Sequence, residues 1–419
     1  MRQLSRIRNL AAACRRIRTV AALAGVAAML AMLQPGAAAE TRPWAEILAA
    51  ARGQTVNFNA WAGDEQTNAF IAWAGEVVLA RHGVTLRHVK LRDTAEAVTR
   101  VLAERTAGRH QGGSVDLIWI NGPNFLAMKQ QGLLHGPFVE ALPSWPLVDT
   151  VAIPSNIVDF TVPVDGLAAP WRVARVAFLH DPRRLKAEDF PPDMAALLAW
   201  ARQHPGRLTH PNPRNFLGAT FLKQALYGLA PDPGVFQHPA DDAAFAAATA
   251  PLWDWYAALK PLMWRRGESF PEGSAGQRQL LADGEIDLMI TFNPADAAVW
   301  IARGLLPPGI RVAGLAGGSI GNTSFVAIPY NAAAKEGAMV VAELLLSPEG
   351  QARMSDPRVI GAGTVLDLAR LAPAARAAFA ALPHDPALPA EGALGPVLLE
   401  PHPSWMSRLV AEWERRYAR

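Results

Sequence analysis

The 419-residue chain contains one cysteine, Cys14, and only four tyrosines, Tyr227, Tyr256, Tyr330 and Tyr417. A single thiol excludes an internal disulfide, so the fold must be held by the size of its apolar core. The scarcity of tyrosine argues against a tyrosine-rich ferric site. The ten histidines are scattered. None forms H-E-x-x-H or a close pair with an acid, the spacing that sets metal ligands on one helix face. No glycine-rich loop closes in Gly-Lys-Ser/Thr, which removes the phosphate-cradling nucleotide site. After residue 39 no apolar run is long enough to cross a bilayer. No metal and no cofactor are expected.

Acidic residues are missing from residues 1–39, which carry Arg2, Arg6, Arg8, Arg15, Arg16 and Arg18. An apolar run of 15 residues, Thr19 to Leu33, follows, then Pro35-Gly36 and Ala37-Ala38-Ala39 before Glu40. This order of charge, apolar stretch and small residues predicts a cleaved secretory leader over residues 1–39. The run is short for a membrane anchor. Arg15-Arg16 invites the twin-arginine route, but Arg18 stands where that route takes an apolar residue. The general secretory route therefore stays open beside it. Cys14 follows Leu10-Ala11-Ala12-Ala13, a loose lipobox, yet it precedes the apolar run, so lipidation is not expected. Removing the leader takes the balance from 40 basic and 37 acidic residues to 34 and 37. A mildly acidic chain gives no reason to expect nucleic acid or an anionic membrane as partner.

What remains alternates short apolar strands with helical patterns, the signature of α/β lobes. Val56, Phe58 and Ala60 alternate with Asn57 and Asn59, a first strand. A helix is expected from about Asn68 to His82, a second strand over 84–91, and a capping box at Asp93-Thr94-Ala95-Glu96. Asp116-Leu117-Ile118-Trp119-Ile120 reads as a buried strand that runs into a turn at Asn121-Gly122-Pro123-Asn124. Ile286 to Phe292 repeats the device and runs into Asn293-Pro294-Ala295-Asp296, where Asn293 suits an N-cap. In open α/β sheets, ligands bind at such carboxyl ends of strands. Two extended Gly/Pro-bearing stretches, 164–171 and 314–329, read as crossings between lobes. A helix from about Ala332 to Leu346 is expected to be capped by Asn331. Trp405, Leu409 and Trp413 at i, i+4 and i+8 form a core-docking face. Trp73, Trp119, Trp200, Trp253, Trp255 and Trp264 are likewise assigned to the core.

The order of these segments resembles the type II periplasmic solute-binding proteins that include the polyamine, thiamine and ferric-iron receptors. The resemblance rests on Phe58-Asn59-Ala60-Trp61-Ala62-Gly63, Gly166-Leu167-Ala168-Ala169-Pro170-Trp171, Asn322-Thr323-Ser324-Phe325 and Leu346-Ser347-Pro348-Glu349-Gly350-Gln351. Asp116 to Gly122 with Asn124-Phe125, Gly136-Pro137-Phe138 and Asn215-Phe216-Leu217-Gly218 are similar to the YnjB-type branch. That branch leads one to expect an acid and a glycine around the crossover tryptophan, where this chain has Ala168 and Arg172. The resemblance implies a two-lobed α/β fold, two lobes joined by two crossover strands with the ligand cleft between them. The lobes are expected at 40–168 plus 325–419, and at 169–324. It further implies a periplasmic monomer that captures a small molecule and delivers it to an ABC permease, without catalysis.

Trp61 ends a strand and Trp171 sits at a crossing, so both are candidate cleft residues. Asp64 and Asp296 follow strands, one in each expected lobe, and can either cap helices or pair with a cation. Asn121, Asn124, Asn293, Asn322 and Ser324 are candidates for neutral hydrogen bonds. Indole faces and carboxylates together suit a small organic cation, with thiamine or a related compound the first expectation. The competing chemistry is Gly317-Gly318-Ser319-Ile320-Gly321, a literal G-x-S-x-G, with Asp367 and His384 downstream. A nucleophile elbow needs a strand before the serine and a helix after it. Here a strand-like segment follows, so a secreted serine hydrolase using Ser319 is the weaker reading.

Overall fold

The computed structural model of the chain describes residues 39–383, 385–388 and 394–418. The expected leader up to residue 38, with Cys14, lies outside the described residues, as does His384. Among the described residues no helix is long and apolar enough to cross a membrane.

The first half builds a sheet between two helical layers. Helix α1 (Trp44–Ala51) leads into β1 (Thr55–Trp61), α2 (Glu65–His82) and β2 (Thr85–Leu91). Then come α3 (Ala95–Thr106), β3 (Leu117–Ile120) and α4 (Gly122–Gln130). Strand β1 pairs in parallel with β2 on one side and β3 on the other. Asp64 caps α2, and Gly83 closes it in a left-handed conformation at φ 67°, its N–H returning to Leu79 and Val78. The capping box forms at α3, where Glu96 Oε1 accepts from the backbone of Arg92 and Asp93.

A short hairpin follows, β4 (Val158–Asp159) and β5 (Val162–Pro163), with Phe160 and Thr161 at its tip, both at positive φ. Strand β6 (Ala168–Arg175) leaves the first sheet and continues as β7 (Ala177–His180) in a second one. Helices α5 (Met194–Gln203), α6 (Phe216–Leu229), α7 (Asp242–Leu259) and α8 (Ser274–Ala282) then precede β8 (Leu288–Thr291). Helix α9 (Asp296–Ala302) and β9 (Arg311–Ala313) complete the second sheet, ordered β8-β7-β9 and antiparallel throughout. The chain returns along β10 (Ser319–Ala327), which pairs antiparallel with β6 over its length and with β3 at its far end. The last elements are α10 (Lys335–Leu346), α11 (Pro348–Ser355), α12 (Pro373–Ala380), β11 (Val397–Leu399) and α13 (Pro403–Tyr417).

Two apolar regions follow from this order. One packs α1, α2 and α10 against the first sheet, around Phe58, Phe70, Trp171 and Leu345. Its far face holds α3 and α4 over Ile118, Ile120 and Phe125. The other gathers α5, α6, α7 and α13 around Phe221, Trp255 and Tyr256. Trp405, Leu409 and Trp413 dock there, all 2 % exposed or less. Each such side chain contributes roughly 1.5–3 kcal/mol of burial.

The C-terminal helix therefore packs with the second sheet's core, not with the lobe expected for residues 325–419. Leu371, Ala375 and Phe379 still pack on the first core, whereas Ala387 and Leu388 pack with Leu179, Met289 and Trp300 of the second sheet and α9. The chain thus makes a third passage between the cores, beyond the two expected crossings. Asn331 also departs from expectation. Its amide is buried and donates to Glu104 at 2.9 Å. The backbone N–H groups of Ala333 and Ala334 are taken instead by the buried Asp116 carboxylate, at 2.9 Å each. Asp116 also accepts from Asn57, so one carboxylate ties β1 to the entry of α10.

Candidate functional site

The carboxyl ends of β1, β3 and β8 meet beside the β6–β10 ribbon. At the end of β1 the chain turns through Ala62 and Gly63 to Asp64. Asp64 Oδ2 accepts from Thr67 N at 3.0 Å and from Thr67 Oγ1 at 2.5 Å. From the second sheet, Thr291 at the end of β8 donates its hydroxyl to Asp296 Oδ2. Asn293 Nδ2 reaches Asp296 Oδ1 at 3.0 Å and Ile360 O at 2.9 Å. The expected N-cap thus works as a turn residue. Asn293 Oδ1 accepts from Ala295 N, and α9 begins at Asp296.

Arg172 stands between these two carboxylates. It lies on β6 opposite Ser324 of β10, at a shift in register. Its Nη1 donates to Thr67 Oγ1 at 3.2 Å, so the threonine hydroxyl links guanidinium to Asp64. The guanidinium carbon lies 5.5 Å from the centre of the Trp119 ring. Arg172 Nε is buried without a hydrogen-bond partner. Trp119 in turn meets Trp61 edge-on at 6.2 Å and Trp171 edge-on at 5.1 Å.

Burial pushes the Asp296 carboxyl up to about 7, and the nearby Asp64 charge adds to this. The Thr291 hydroxyl, Arg172 and Asn293 oppose it. Burial also works against the charge on Arg172, while Asp64 and Asp296 both favour it. The three ionisable groups are therefore electrostatically coupled across the two sheets. Counted as ions they carry one net negative charge.

A second polar cluster is fully enclosed. Lys223 of α6 and Glu400, just after β11, form an ion pair at 2.5 Å. Asn322 Nδ2 holds the other Glu400 oxygen at 2.9 Å. The Lys223 ammonium lies 4.6 Å from the Phe160 ring centre and 4.8 Å from that of Phe216. Asp159, beside Phe160, accepts from Asn121 Nδ2 at 3.0 Å and from Gly122 N at 2.6 Å. Burial raises the Asp159 carboxyl to about 7 against those hydrogen bonds. The hairpin tip thus packs onto α6, and every charge there has a protein partner.

The expected residues divide between these clusters. Trp61, Asp64, Asn293 and Asp296 gather around Arg172, with Ser324 as its register partner. Trp171 is 0 % exposed and stacks on Phe70 at 6.2 Å within the first core. Trp119, assigned to the core from its strand, is only half-buried and supports Arg172. Asn121 and Asn322 serve the enclosed cluster, and Asn124 is half-buried on the first turn of α4. Sequence reasoning missed Thr67, Asp159, Lys223 and Glu400. The legible signal was Lys223, a charge inside the apolar run Phe221 to Leu226.

Ser319 is no nucleophile. It is 2 % exposed, begins β10, and donates its hydroxyl to Leu394 O at 2.8 Å. Asp367 caps a short helical turn by accepting from Ala369 N. Among the described residues no group of three or more His, Cys, Asp or Glu side chains is placed to hold a metal. A groove of about 580 Å³ between α7 and α13 is lined by Phe245, Trp253, Arg408 and Glu412. Its cations already pair with Asp242 and Glu412 and cover Phe245 and Trp253.

Residues 74–387 match the family described as bacterial extracellular solute-binding protein. The chain is 43 % identical over 375 residues to Protein YnjB of Escherichia coli (strain K12), covering 89 % of this chain and 94 % of that one. In fold it is similar to the periplasmic binding protein AfuA of Actinobacillus pleuropneumoniae, solved with fructose-6-phosphate. The TM-score is 0.60 at 14 % identity, over 87 % of this chain and 99 % of that one. It is also similar to the spermidine/putrescine substrate-binding protein PotD of Streptococcus pneumoniae. There the TM-score is 0.59 at 12 % identity, over 87 % and 98 % of the two chains.

Proposed function

The chain belongs to the bacterial extracellular solute-binding protein family, and from that premise we propose that Trp61, Asp64, Trp119, Arg172 and Asp296 form the seat of its solute. The protein is the solute-binding component of an ABC importer, not an enzyme. The observation that carries the site is the convergence of Asp64 and Asp296, hung from the two sheets, on one arginine. A ligand that pairs with both carboxylates draws the two lobes together, and the closed form is the one that docks on the permease. The lobes divide at the β6–β10 ribbon, with the terminal helix α13 belonging to the second. The protein works as a monomer in the periplasm. Two carboxylates set against one guanidinium, with the indole faces of Trp61 and Trp119, favour an organic cation, and thiamine or a related compound is the first candidate.

Titration of thiamine, spermidine, putrescine, a ferric chelate and a sulfonate, read by melting temperature and scattering, tests this. An organic cation raises the melting temperature and compacts the protein. Asp296→Asn and Trp61→Ala each weaken it by about 1–3 kcal/mol. Tight binding of the sulfonate or the chelate, unaffected by either change, overturns the reading.

A further inference from the structure

Arg172 is left over once the protein's own pairings are counted. A guanidinium carries five donors in a planar fork. Among the described residues one of them has a partner, Thr67 Oγ1 at 3.2 Å, and the buried Nε has none. Other arginines are used differently. Arg175, three residues on, also leaves its Nε unpaired but gives its Nη2 to the backbone oxygens of Leu394 and Gly395. Arg207 forms a bidentate pair with Asp287. Arg172 forms no ion pair among the described residues, although Asp64 and Asp296 are near enough to favour its charge. Each of those carboxylates is bound to its own threonine hydroxyl. The guanidinium carbon lies over the Trp119 ring, 5.5 Å from its centre.

We propose that the solute is a zwitterion, whose anionic oxygen group occupies the fork of Arg172 while its cationic nitrogen lies against Asp64 and Asp296. This rests on the cleft reading above and narrows it. A cation alone would satisfy the carboxylates and leave the guanidinium with unmade donors in a closed, water-poor cleft, which is costly. An anion alone would face two carboxylates. A molecule with both charges matches the alternation Asp64, Arg172, Asp296. Carboxylate, sulfonate and phosphate monoester all fit a planar fork, and matched probes separate them.

The test measures affinity for pairs that differ only in the acidic group: thiamine and thiamine monophosphate, choline and glycine betaine, choline and phosphocholine, n-butylamine and 4-aminobutyrate. The expected result is that the zwitterion of at least one pair binds about tenfold to a hundredfold more tightly than its plain cation. Arg172→Gln abolishes that preference, the zwitterion falling to or below the affinity of its plain cation. Arg172→Lys, which keeps the charge but loses the fork, restores part of it. The ligand-free Arg172→Gln protein serves as the folding control, and its melting temperature is expected not to fall. Plain cations that bind as well as their zwitterions overturn this inference and leave the cation reading intact. A preference that survives Arg172→Gln also overturns it. Failure of every cation and zwitterion in the panel overturns both.

Discussion

The Lys223 ammonium and the Glu400 carboxylate lie 2.5 Å apart, with side chains 0 % and 2 % exposed. They join α6 to the segment entering α13, the two helices that close the second core. Breaking such a pair strands a charge without water, whereas removing both charges does not. Lys223→Met and Glu400→Gln are each expected to cost about 3–5 kcal/mol in urea denaturation. The double variant should cost clearly less than their sum, because Asn322 still finds an amide oxygen at position 400. Additive losses would show that the pair is not coupled.

Gly63 and Trp61 make a second testable relationship. A Cβ at position 63 would lie 2.2 Å from the Trp61 ring. The ring is the far end of a half-buried side chain on the last residue of β1, so it moves and the backbone does not. Gly63→Ala should therefore imitate Trp61→Ala. Ligand affinity is expected to fall by about 1–2 kcal/mol through the lost aromatic contact. The urea midpoint should stay within about 0.5 kcal/mol of wild type, as for a surface change. Retained affinity in Gly63→Ala would remove Trp61 from the site.

The expected leader makes a prediction about Glu40. Its backbone N donates to Pro137 O at 2.8 Å, and its carboxylate holds Arg42. A chain beginning at Glu40 can keep that first bond with its new ammonium. Intact mass of periplasmic protein should match residues 40–419. An uncleaved or lipid-bearing species would refute the leader reading.

Much of this fold was readable because local signals and packing agree. The alternation in β1 and the apolar spacing of the stripe Trp405–Leu409–Trp413 each have one physical outcome, a strand and a buried helix face. What was not readable is long-range. Asn331 follows the pattern of a cap, but Asp116, over two hundred residues away in sequence, takes the donors it would have served. Trp119 is half-buried and Trp171 fully buried, because strand alternation says which side a residue faces, not how deeply that side is covered. The terminal helix carries an apolar face suited to either core. Only the third passage of the chain decides which one it meets. Arg172 was visible as an exception to a family pattern, and its unpaired fork is a property of three elements meeting.

Asp296 gives the site a pH dependence with a definite sign. Its folded-state pKa, about 7, is raised above the ordinary aspartate value of 3.8. The folded protein therefore holds a proton on this group between pH 4 and pH 7 that the unfolded chain has already lost. Where the folded state binds more protons, stability from that group falls as pH rises. The favourable contribution is complete below about pH 4 and is lost as pH climbs through 7. Asp159 follows the same rule in the enclosed cluster, and His210, held near 4 by burial, runs the opposite way. Comparison with Asp296→Asn isolates the one group, because the amide cannot ionise. At pH 8 the Asn variant should melt above wild type without ligand, and near pH 4 the two should converge. Binding of a cationic nitrogen favours ionised Asp296 and so expels its proton. Calorimetry near pH 6.5, in two buffers of different ionisation enthalpy, should then show proton release in wild type and a smaller release in Asp296→Asn. Equal release in both proteins would mean that the cation does not meet this carboxylate.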